Sequence, residues 1–236
     1  MSKNIVFTNV TGAPYLSPPE PSDRNIPDWY KDLESYIGGI KRPTGTGDTT
    51  ATIKRCMPVF DAITSGYIIK SSVDVYISQR QHEGEVIHPW YEWAGSDTLG
   101  FHPISQAPTH PNNNGHKENY PKWNNPWSIK TPNGYSCLFI QPFHREAPFT
   151  ILPGIVDTDT YNAPVNFPFV LNDITFEGLI PAGTPIAQVI PFKRDEFTMK
   201  IGDQKDFQNQ DVISRKLRSR FFDSYKNQFW HKKSYR

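Results

Sequence analysis

Two carboxylates and a tyrosine fall together in LPGIVDTDTYNAPVNFPFVLN, residues 152–172, where Asp157, Asp159 and Tyr161 follow Gly154. Held within hydrogen-bonding reach of the atom it activates, a carboxylate at such a place acts as an acid or base on a nucleotide or another small polar substrate. Asp157, Asp159 and Tyr161 are therefore the candidate catalytic residues. The same residue types also build turns, because aspartates accept backbone N–H groups and glycine permits a tight bend. Of the two readings, the structural corner between strands is the one the residues favour.

Metal chemistry would draw on the histidines. His82, His88, His102, His110, His116 and His144 crowd the middle of the chain, and a mononuclear site would take His88, His102 and His144, with Glu83, Glu92 or Glu146 as the carboxylate. No H-x-H, HExxH or CxxC accompanies them, so neither a cupin nor a zinc-peptidase pattern is present, and no cofactor is identified. His102, His110 and His116 sit in loop-like sequence, where exposed histidines are expected. Serine-nucleophile and phosphate-loop signatures are absent too.

A third chemistry is stacking. Trp90, Tyr91, Trp93, Trp123 and Trp127 lie in or beside segments rich in Pro and Asn. Large rings there either form a ligand platform, with Trp90, Trp93, Trp123 and Trp127 as the binding residues, or hold a loop down on the core.

These residues need a scaffold. The 236 residues include 22 prolines and 15 glycines, with 14% aromatics, which points to many short segments broken by turns. Val73, Val75 and Ile77 alternate with Asp74, Tyr76 and Ser78, the period of a half-buried strand. Five more short strands, YSCLFIQPF, FTILPGIVD, VNFPFVLN, ITFEGLIPAG and IAQVIPFKR, recur at about ten-residue spacing. The expected class is mainly β, a sandwich or barrel, with a short N-terminal helix and a C-terminal amphipathic helix.

The expected organisation has three parts. Residues 1–50 form an arm and linker, with a helix over IPDWYKDLESYIG that Gly38 and Gly39 stop. Residues 51–207 form the β-rich core, carrying a long aromatic loop over 88–132. Residues 208–236 form a basic helix capped by Asp211, with Ile213, Leu217, Phe221, Tyr225 and Phe229 as its apolar stripe. Residues 211–236 hold eight Lys or Arg against two Asp, so this end carries +6 and the remainder −5. Such a segment suits self-association or a protein partner, and binding of nucleic acid is the further option. No apolar run spans a membrane and no signal peptide opens the chain, so a cytoplasmic location is expected, or a place in a virion. Cys56 and Cys137 share no motif and read as reduced thiols.

The run Gly154-Ile155-Val156-Asp157-Thr158-Asp159-Thr160-Tyr161 resembles the dUTPase-family motif Gly-x-Ile-Asp-x-Asp-Tyr. Downstream, Gly183-Thr184-Pro185-Ile186-Ala187-Gln188 is similar to that family's Gly-x-Arg-Ile-Ala-Gln. The resemblance implies a β-clip core in which Asp157 orients a water or sugar hydroxyl, Tyr161 stacks under the sugar and Gln188 lies near phosphates. Two features depart from the motif: Thr160 is an added residue, which along a strand turns the Tyr161 ring to the opposite face, and Pro185 replaces the arginine. Over most of its length, from IPDWYKDL through KRCMPVFDAITSGYII to LIPAGTPIAQVIPFKRDEF, the chain also resembles a family of phage and bacterial proteins. That second likeness implies a phage or bacterial source and supplies no activity.

The function expected is a non-catalytic binding or assembly protein, oligomeric through its arm and tail. The alternatives are a dUTPase-like hydrolase of a nucleotide or small molecule, and a metal-dependent enzyme using the central histidines.

Overall fold

The computed structural model describes residues 3–42, 50–82, 86–95, 97–111, 115–116, 119–218 and 222–236. They form two compact units, one of Met1–Ser22 with Gly66–Arg194 and one of Asp23–Ser65 with Asp195–Arg236.

The first unit holds the strands: β1 Val6–Asn9, β2 Glu20–Pro21, β3 Tyr67–Lys70, β4 Val75–His82, β5 Val86–Trp93, β6 Leu99–Pro103, β7 Asn119–Trp123, β8 Trp127–Lys130, β9 Tyr135–Ile140, β10 Phe149–Ile151, β11 Gly154–Val156, β12 Phe167–Leu171, β13 Gly178–Ile180 and β14 Pro185–Lys193. They pair antiparallel in four sheets, ordered β1-β8, β10-β12-β7-β6, β11-β9-β14-β3-β2 and β13-β4-β5. The protein is thus mainly β, and among the described residues no sheet closes into a barrel.

Period-two patterning does the positioning. On β4, Val75 and Ile77 are fully buried while Tyr76 between them is exposed. β12 is nearly continuous apolar sequence, and Phe167, Phe169, Val170 and Leu171 are all buried. With Trp123, Phe139, Phe149 and Ile151 they make the central core. Trp123 stacks on Phe169 with centroids 5.3 Å apart and meets Phe149 at 5.4 Å. A ring cluster of this kind adds to the free energy of burial because edge and offset contacts satisfy the ring quadrupoles.

The stretch 88–132, expected as a loop, instead contains most of β5 and all of β6, β7 and β8. Its prolines concealed them. Pro89 and Pro103 lie on the edge strands β5 and β6, where a missing N–H interrupts no inner ladder. Pro121 is on β7, but β12 pairs there only with Lys122 and Trp123, which leaves the proline clear of that ladder.

The second unit holds the helices α1 Asp28–Asp32, α2 Met57–Thr64, α3 Gln204–Arg218 and α4 Ser224–Gln228. α1 is shorter than expected: Leu33, with φ −60° and ψ 132°, ends it before Gly38 and Gly39 are reached. The expected C-terminal helix is two helices with a different cap. Asp203 accepts hydrogen bonds from the backbone N–H groups of Lys205 (2.8 Å) and Asp206 (3.2 Å), and Asp206 accepts from the Asp203 N–H at 3.0 Å. This reciprocal capping box starts α3 eight residues before Asp211, which lies inside the helix and pairs with Arg215 at 3.2 Å. Phe221 of the expected stripe falls outside the described residues.

The chain end is fastened within the same unit. Trp230 donates its indole N–H to Asp61 of α2 at 3.0 Å, Lys233 pairs with Asp61 at 2.6 Å, and Arg55 pairs with Asp223. By contrast, α3 has no buried residue. Among the described residues no helix is long and apolar enough to cross a membrane.

Candidate functional site

Asp157 follows β11 directly, and its carbonyl accepts the N–H groups of Thr160 (3.1 Å) and Tyr161 (2.8 Å), so residues 157–161 form a closed turn. Thr158 is buried beneath it, with its hydroxyl 2.8 Å from that of Thr131 and 3.3 Å from the Cys137 sulfur. Because these residues are a turn and not a strand, the added Thr160 does not move the Tyr161 ring between sheet faces. That ring is exposed.

The carboxylates converge on one guanidinium. Arg194, just past β14, donates to Asp159 through both terminal nitrogens, one at 2.9 Å, and also pairs with Asp157 at 3.1 Å. Asp159 additionally accepts the Gly134 N–H at 2.8 Å, and Asp157 accepts from the Ser136 hydroxyl at 2.6 Å. The Arg194 hydrogen bond, followed by that of Gly134, pulls the Asp159 carboxyl down to about 2, and the same pairing raises Arg194. Charge-assisted, two-pronged bonds of this kind fix geometry strongly. They tie the 157–161 turn to the start of β9 and the end of β14.

The structure therefore brings Asp157 and Asp159 together and adds Ser136 and Arg194, which the motif reading missed. The sequence signal for Arg194 was a basic residue immediately after an apolar strand, and it carries no mark of its partner. Gly154 has an ordinary φ and open space around its α-carbon, so the turn makes no demand for glycine there.

The other candidates are scattered. Trp123 is core, while Trp93 and Trp127 pack against the core. Trp90 is exposed on β5, with the Arg80 guanidinium 4.0 Å above its ring. Gln188 is buried on β14 and accepts the Phe143 N–H at 3.0 Å. His88 lies on β5, His102 on β6, and His144 in a loop at φ 54°. Among the described residues no group of three or more His, Cys, Asp or Glu side chains could hold a metal ion.

His116, expected to be exposed, is buried. Its Nε2 accepts the Leu171 N–H at 3.1 Å and its Nδ1 faces the Asn119 carbonyl at 3.3 Å, which assigns the proton to Nδ1. Burial lowers its pKa, so it serves as a neutral bridge. Cys137 is also buried, which pushes its thiol up to about 11.

One concave feature of the first unit gathers polar groups that lie far apart along the chain. A cleft of about 660 Å³ is lined by Tyr15, Asp97, Lys122, Trp123, Asn124 and Asn166, among others. Gly100 stands opposite Lys122 across β6 and β7, and a Cβ on Gly100 would come within 2.6 Å of the Lys122 Cε. The lysine stem thus lies over the space that glycine leaves open. The Asn124 amide donates to Asp97 at 3.0 Å, and Asn166 accepts the Asn125 N–H at 3.0 Å.

No protein-family model and no curated protein matches the chain. Among solved structures it is similar to a dUTPase from phage phi11 of S. aureus, with a TM-score of 0.38 and 11% identity, over 86% of this chain and 99% of that one. At that degree of likeness, the mainly β class of this chain rests on its own strand pairing.

Proposed function

We propose that the chain is a non-catalytic assembly protein that associates with further copies of itself through residues 195–218. The observation that carries this reading is the exposure of Phe197, Met199 and Ile201, at 90%, 89% and 92%. Three large apolar side chains at alternate positions match the period of an added strand, in which one side of the segment buries against a sheet. Leaving them in water forgoes about 1.5–3 kcal/mol apiece relative to full burial.

α3 supports the same reading. Phe207, Val212, Ile213 and Leu217 are exposed along it, and a 15-residue helix with no buried residue is marginal in water. A second copy supplies a fitting surface: β11 is the edge of its sheet, and Ile155 on it is 64% exposed.

The test compares the full chain with a variant carrying Phe197→Ser, Met199→Ser and Ile201→Ser, by size-exclusion chromatography with light scattering. The wild type is expected as an oligomer and the variant as a smaller species with an unchanged circular dichroism spectrum. A monomeric wild type at micromolar concentration would overturn self-association.

A further inference from the structure

We propose that the cleft between the N-terminal arm and the β6–β7 pair is a binding site for a hydroxyl-rich ring, that is, a saccharide. This goes beyond the assembly reading and does not depend on it.

The donor and acceptor inventory selects the ligand. Among the described residues no ion pair or hydrogen bond engages the Lys122 ammonium, which needs acceptors. Asp97 offers the opposite: its carboxylate accepts from Asn124 and retains further lone pairs that need donors. A hydroxyl is the neutral group that both donates and accepts, and several on one ring answer this mixed set.

Charge argues against an anion. Lys70, which also lines the cleft, is neutralised by Glu20 at 2.9 Å, and Asp97 balances Lys122. No net positive charge remains for a phosphate, and Asp97 would repel one. The exposed ring of Tyr15 supplies an apolar plate against which a sugar face can lie, and the volume is of the size small-ligand sites use.

Two variants isolate the site without disturbing the core. Asp97 has φ 60°, a left-handed conformation that asparagine also tolerates, so Asp97→Asn keeps the backbone while removing the charge. Lys122→Met keeps the stem over Gly100 and removes the ammonium.

Isothermal titration calorimetry of the full chain would use glucose, galactose and N-acetylglucosamine, their disaccharides maltose, lactose and chitobiose, and inorganic phosphate. At least one saccharide is expected to bind, with affinity reduced about tenfold or more in each variant and melting temperatures little changed. A disaccharide that binds more tightly than its monosaccharide would support the site and identify a glycan, and the reverse order would support it with a free sugar. Absence of binding by every saccharide, binding equal in wild type and both variants, or phosphate binding in place of sugar would overturn the inference. None of these results bears on the oligomeric state.

Discussion

Asp159 shows how little of a residue's task its type reveals. Two aspartates two positions apart suit acid–base chemistry and suit a turn equally well, and the choice is made by Arg194, thirty-five residues away. Its depressed carboxyl has a measurable consequence. The folded value of about 2 lies below the ordinary 3.8, so the stabilisation is fully present above pH 3.8 and is lost as the pH falls through about 2. Asp159→Asn is expected to lower the melting temperature at neutral pH and to flatten its decline in that acid window, as followed by thermal unfolding from pH 7 to 2. An unchanged acid limb would show that the pairing contributes nothing to folding. His116 was misread for a related reason. Its neighbours Asn119 and Leu171 are distant in kind, one a loop-like residue and one a core strand residue, so loop-like sequence hid a buried imidazole.

At the scale of elements, strands with clean alternation were legible and strands interrupted by proline were not. VDVYISQ declares itself because its apolar residues all point one way. NYPKW does not, since Pro121 and Lys122 break the pattern even though Tyr120 and Trp123 are buried. The C-terminal helix was legible in its existence and not in its start, because either Asp203 or Asp211 could cap it and only backbone geometry distinguishes them. Glycines separate the same way. Gly66, entering β3, has φ 71°, and a Cβ there would fall 2.0 Å from the Val189 carbonyl oxygen of β14. Gly66→Ala is therefore expected to destabilise by roughly 3 kcal/mol, at the upper end of single-residue effects. Gly154→Ala, with ordinary φ and open space, should stay within about 0.5 kcal/mol of wild type. Urea unfolding of both variants checks the pair, and equal losses would contradict the close β3–β14 approach.

For the molecule as a whole, stability and association are linked. If residues 195–218 are buried only between copies, the folded chain gains free energy by mass action, and its melting temperature rises with protein concentration. A melting temperature constant from micromolar to a hundredfold higher concentration would contradict that coupling. The mainly β class could be read from composition and spacing, since prolines, glycines and short apolar runs are properties of the chain itself. The cleft could not, because Tyr15, Asp97, Lys122 and Asn166 are brought together only by folding.

The two thiols bear on how such association can be observed. Cys137 is sealed beneath the 157–161 turn with a raised pKa, whereas Cys56 is partly exposed and free. Native protein treated with a maleimide dye near neutral pH therefore takes up one fluorophore per chain, at a known place in the helical unit. Dye self-quenching that grows with protein concentration then reports the approach of copies to one another, with no residue added to the sequence.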